Sequence, residues 1–194
     1  MFTRQLMLVF AGGLLVAPVA DAASPARVAV SARLYNTARV PATVTETALG
    51  VASRALVAAH IDVAWLNCAA VSCDDPPGAQ ELVVRLVRSK DSPEAALSLM
   101  LGYASIDRRE RSGVLATLYV DRVERMAEFS AVDTASLLGL AIAHELGHLL
   151  LATHAHSATG LMRATWSSSD IRRNDGGDWV LTPKEAAAIR RRLQ

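Results

Sequence analysis

Residues 144–148 read His-Glu-Leu-Gly-His. In a helix of 3.6 residues per turn, positions four apart share a face, so the imidazoles of His144 and His148 can aim at one ion with Glu145 turned to its flank. A zinc ion held by two neutral imidazoles and one further protein ligand keeps a position for water, whose pKa falls to about 7. Glu145 can accept that water's proton and deliver it to the leaving amine of a cleaved amide. Three fixed residues can coincide in an ordinary helix, and a lone histidine there is more often a satisfied packing residue. Here four of the five histidines fall between positions 144 and 156, which lifts the motif above that background. His60, the fifth, is expected at a helix end in a structural role.

The elements that must position these residues can be read from periodicity. Asp133 can cap a helix whose apolar positions Leu137, Leu138, Ala141, Leu149 and Leu150 carry it through the motif to Leu151. Upstream, residues 27–35 alternate as a strand, and residues 45–59 follow with Ala48, Val51, Ala52, Ala55 and Leu56 at helical spacing. Residues 61–66, 82–87 and 113–120 are short runs of strand-forming residues bounded by turn formers. The last of these is expected to form an open sheet edge to which an extended peptide could add. Residues 88–112, with a helix start at Ser92-Pro93-Glu94 followed by Gly102 and a charged stretch from Asp107 to Arg111, read as a mixed loop overhanging a cleft. Downstream of the motif comes a loop rich in Ser, Thr, Gly and Asp. Thr182-Pro183-Lys184-Glu185 then combines an N-cap, Pro at the first helical position and Glu at the capping-box position, opening a helix to Leu193. The run Arg190 to Arg192 sits where the helix dipole favours cations, so it needs no binding partner. There is no internal repeat.

The chain start follows a different logic. Arg4 precedes an apolar run over residues 6–17, and Ala20-Asp21-Ala22 offers a small-x-small cleavage site. The run is roughly 12 residues, whereas spanning a bilayer takes about 20. Residues 1–22 therefore read as a signal peptide and residues 23–194 as a single domain, exported to the periplasm or beyond with no stable membrane span after cleavage. The formal net charge of +1 gives no electrostatic case for nucleic acid or an anionic membrane. Cys68 and Cys73 are too few and wrongly spaced for a thiolate zinc site. In an exported chain they are expected to form a disulfide before the Pro-Pro-Gly turn.

The stretch HELGHLLLATHAHSATGLMRATW resembles the zincins, and within them the metzincins, which place HExxHxxGxxH before a Met-turn. By that spacing the third ligand would be His154, and Gly160-Leu161-Met162 would be the Met-turn, with Met162 an apolar floor beneath the metal. Position 151, where that pattern carries Gly, is Leu. The same stretch is similar to exported bacterial metallopeptidases that carry HExxHLLL, a short spacer and then HSxxGLM, in which the third ligand would be His156. The resemblance implies an α+β zincin-like fold, with a small twisted mixed sheet, a backing helix and the HExxH helix. It also implies Zn2+ as cofactor, Glu145 as general base and a peptide or protein substrate.

On a continued helix, His154 and His156 would both lie roughly 100° from the mean direction of the first two ligands, so the chain must turn back after Leu151. Without Gly there, two extra residues ease the return, which favours His156; His154 stays the alternative. A non-catalytic exported zinc-binding or interaction module is the alternative function. All four clustered histidines could close the site, although a purely structural centre has no use for Glu145. Copper or nickel would also suit imidazoles. Trp166 and Trp179 are expected to pack, and spacing alone does not choose among Tyr103, Tyr119 and Arg163 as stabilisers of an oxyanion.

Overall fold

A computed structural model describes residues 27–78, 81–89, 100–107, 109–110, 112–173 and 178–193. The expected signal peptide and the Ser92-Pro93-Glu94 helix start lie outside them. Strands β1 (Val28–Asn36), β2 (Ile61–Asn67), β3 (Leu82–Val87), β4 (Gly102–Asp107) and β5 (Ser112–Tyr119) form one sheet in the order β2-β1-β3-β5-β4. All neighbours run parallel except β4, which pairs antiparallel with β5. The parallel β1–β2 pair needs a crossover, supplied by α1 (Ala42–Val57). In β3, Leu82, Val84 and Leu86 are buried while Arg85 is exposed, the alternation of a sheet covered on one face. His60 closes the turn from α1 into β2 with φ 61. The α+β class with a small mixed sheet agrees with expectation.

Two differences bear on the site. Residues 113–120 were expected at the sheet edge, but β5 lies between β3 and β4, because it has a parallel partner on one side and a hairpin partner on the other. The edge belongs instead to β4, a segment whose sequence reads as loop. Gly102 and Ala104 give β4 little strand propensity, yet Gly102 is needed there. A Cβ on it would stand 2.7 Å from the Thr117 carbonyl oxygen, 2.8 Å from Leu118 Cδ1 and 3.2 Å from Glu145 Cγ.

Helix α2 (Val120–Ser130), also unread in the sequence, starts where β5 ends, with no side-chain cap at Tyr119. Helix α3 (Thr134–Leu151) follows, and the Asp133 carboxylate accepts the Ser136 N–H at 2.7 Å, satisfying one of the free donors of the first turn. Leu137, Leu138, Ile142 and Leu146 are fully buried, each such side chain worth about 1.5–3 kcal/mol of burial. At Gly139 the helix meets α1 so closely that a Cβ would stand 2.5 Å from the Ala48 carbonyl oxygen and 2.5 Å from Val51 Cβ. Among the described residues α3 is the one helix long and apolar enough to cross a membrane, and here it is buried in the core. The chain ends with α4 (Ser168–Arg173) and α5 (Pro183–Leu193), of which α4 falls in the segment expected as loop. Cys68 and Cys73 are joined in a disulfide with Cα atoms 5.5 Å apart.

Candidate metal centre

Helix α3 puts His144 and His148 one turn apart with both side chains buried, and the chain then reverses. Ala152 adopts the left-handed conformation, φ 50 and ψ 47. Its N–H bonds to Leu149 O at 3.1 Å, and the Thr153 N–H bonds to His148 O at 3.2 Å, the paired bonds of a Schellman end. A residue with a Cβ pays about 1 kcal/mol for that conformation relative to Gly. The stop thus comes one residue after Leu151, without the glycine of the resembling pattern, and the chain folds back to bring His156 against the helix.

The structure brings His144, His148 and His156 together, with their ligand atoms all within 4.8 Å of one another. His148 Nε2 lies 3.1 Å from His144 Nε2 and 3.2 Å from His156 Nε2. His144 Nδ1 donates to Leu161 O and His148 Nδ1 donates to Thr153 O, each at 2.8 Å. A carbonyl only accepts, so each Nδ1 carries the hydrogen and each Nε2 presents a lone pair. Lone pairs facing one another across 3.1 Å repel unless a cation stands between them. Tetrahedral zinc with Zn–N bonds of 2.0–2.1 Å separates its nitrogens by about 3.3 Å, so the two Nε2 pairs made by His148 are spaced for such an ion. Burial, then the neighbouring His144, pushes His148 down to about 4, and burial lowers His144 as well. Both shifts favour the neutral ring that metal ligation requires. His156 is exposed, which leaves the cluster open to solvent on that side.

His154 stays outside the cluster. It is exposed, its ring centroid is 6.3 Å from that of His148, and it helps line a separate cavity of about 540 Å³ with Ala104, Ile106, Asp107 and Gly113. Glu145 is 7% exposed and burial pushes its carboxyl up to about 8. Among the described groups its side chain closely approaches Gly102 of the edge strand.

The loop after α3 carries both the third imidazole and the carbonyl that holds the first. It closes on itself through Ser157 N–H to Met162 O at 2.8 Å and joins the segment before α5 through Leu161 N–H to Val180 O at 2.9 Å. Gly160 needs to be glycine, since its φ is 77 and a Cβ would stand 2.7 Å from Val180 O. Met162 is fully buried, its sulfur against the place a Cβ on Gly147 would take; it therefore packs under the turn of α3 that carries His144 and His148. Trp166 stands edge-on to His144, ring centroids 5.4 Å apart, with Trp179 edge-on behind it at 4.8 Å and Arg163 over Trp179. Trp166 was read from the sequence as packing and does pack, but against His144 of the imidazole cluster. Tyr103 and Tyr119 lie 6.2 Å apart, with the Arg122 guanidinium over Tyr119. The carbonyls of Thr153 and Leu161 escape sequence reasoning because every residue has one.

No protein-family model matches the chain, and no curated protein is similar to it in sequence. Solved structures do match in fold. The crystal structure of a zinc-dependent peptidase from Methanocorpusculum labreanum (strain Z) has a TM-score of 0.52 at 13% identity, covering 81% of this chain and 99% of that one. Archaemetzincin from Methanopyrus kandleri has a TM-score of 0.51 at 16% identity, covering 84% of this chain and 95% of that one. The chain shares their fold.

Proposed function

We propose that the chain is an exported zinc-dependent peptidase in which His144, His148 and His156 hold the metal and Glu145 is the general base. The observation that carries this reading is the convergence of the His144, His148 and His156 imidazoles, with His144 and His148 each fixed from behind by a backbone carbonyl. The fold shared with two zinc peptidases supports it. With His154 outside the cluster, three protein ligands leave a position for water, which speaks against a closed structural centre. The disulfide fits an oxidising compartment, in line with residues 1–22 acting as a signal peptide and residues 23–194 as the working domain.

Zinc, when bound, lowers the pKa of water and polarises a substrate carbonyl. The chain's own residues do the rest. With the cation's charge in the site Glu145 would be held as the carboxylate despite its burial. It would take the water's proton as the resulting hydroxide attacks the amide carbonyl, then pass that proton to the leaving nitrogen as the C–N bond breaks, so that the amine departs neutral. Gly102 keeps β4 close to Glu145, and β4, the edge strand among the described residues, can accept an extended peptide by strand addition, bringing a main-chain carbonyl toward the centre. The test is metal analysis of the purified exported protein, coupled to cleavage of a peptide mixture with and without chelator. Glu145→Gln keeps the side chain's shape but loses the proton acceptor. It should retain zinc while hydrolysis falls at least about 100-fold. A fully active Glu145→Gln variant overturns the mechanism.

A further inference from the structure

Glu185 lies in the C-terminal helix, 37 positions beyond His148 in the sequence, and has an apparent role as a helix cap. Its Oε2 accepts the Thr182 N–H at 2.7 Å and the Thr182 hydroxyl at 2.8 Å, which completes the capping box. A cap uses one carboxylate oxygen. The other, Oε1, accepts the hydroxyl of Ser157, the residue directly after His156. Glu185 is buried, so this bond is shielded from competing water. Ser157 in turn closes the loop through its N–H to Met162 O, and that loop also delivers the Leu161 carbonyl to His144. One carboxylate therefore ties down a loop that holds one imidazole and orients another.

The geometry points to Glu185 as a positioning residue for the metal centre, acting through Ser157 to hold His156 and the Leu161 carbonyl in register with α3. The inference rests on the zinc-site reading above. The loop's backbone bonds close it on itself, Ser157 N–H to Met162 O, and fix its exit, Leu161 N–H to Val180 O, whereas Ser157 Oγ to Glu185 ties its entry, where His156 stands, to α5. Groups that orient ligands from behind typically contribute about 10- to 100-fold to metal affinity.

The experiment measures zinc affinity of the full exported protein by competition with a chromophoric chelator, alongside thermal melting of the metal-free form. Ser157→Ala removes the clamp and spares the capping box; it should weaken zinc about 10- to 100-fold with little change in melting. Glu185→Ala should weaken zinc similarly and also lower the melting temperature. Glu185→Gln, which can still hydrogen-bond both Ser157 and Thr182, should restore most of the affinity. Thr182→Ala loses cap bonds but leaves Ser157 on Glu185, so it should lower melting while zinc affinity stays within a few-fold of the parent. If Ser157→Ala binds zinc as tightly as the parent, Glu185 is a helix cap only, and this holds even if Glu185→Ala fails to fold. A parent protein that binds no zinc, or a His144→Ala variant that binds as well as the parent, would instead sink the metal-site reading itself.

Discussion

Helix α3 and the loop at residues 152–163 each supply part of one centre, and they are built by different means. In α3 the relative placement of His144 and His148 follows from backbone periodicity alone, and the helix is locked by an N-cap and by burial against α1. In the loop no backbone periodicity dictates where His156 ends up. Its position depends on a left-handed alanine, on a glycine with positive φ, and on bonds to Val180 and Glu185 far along the chain. The difference teaches that a packing lesion in α3, away from its two histidines, should act through folding, whereas a lesion in the loop should act first on the metal.

The largest effect is expected at the α1–α3 crossing. Gly139→Ala places a Cβ against the Ala48 carbonyl and Val51 at 2.5 Å, and moving backbone to relieve it should cost about 3 kcal/mol or more. Denaturant melts should show a global loss, with zinc content falling only in proportion to unfolded protein. Loss of zinc from a still-folded Gly139→Ala variant would break the distinction. In the loop, Gly160→Ala forces a Cβ into φ 77 and within 2.7 Å of Val180 O, a cost of about 1–2 kcal/mol. Here zinc affinity should fall while far-UV circular dichroism and most of the cooperative melt persist.

What could be read from the sequence divides along the same line. The motif helix, its Asp133 cap and the Thr182–Glu185 capping box all rest on contacts within a few residues, and residue type records such contacts directly. Strand β4 was missed because the close approach to Thr117 and Glu145 demands a glycine, and glycine argues against a strand. Helix α2 was missed because it leaves β5 without a turn residue or a capping side chain. The choice between His154 and His156 stayed open because the reversal at Ala152 uses a residue that carries no turn signal.

The smallest effect sharpens this last point at the junction of the two regions. Ala152→Gly should relieve the left-handed strain and stabilise the protein by about 1 kcal/mol, less any entropy gained by the unfolded chain. Zinc affinity should be unchanged, since the reversal is already made. A destabilised Ala152→Gly variant would show that Ala152 is held by packing and that no strain is stored there.

The most direct test of the centre is zinc stoichiometry and affinity in four single variants, His144→Ala, His148→Ala, His154→Ala and His156→Ala, each checked for folding by circular dichroism. Three converging imidazoles predict that the first, second and fourth lose tight zinc binding, while His154→Ala retains it. Retention by His156→Ala, or loss by His154→Ala, would contradict the account and return the third ligand to the position two residues earlier.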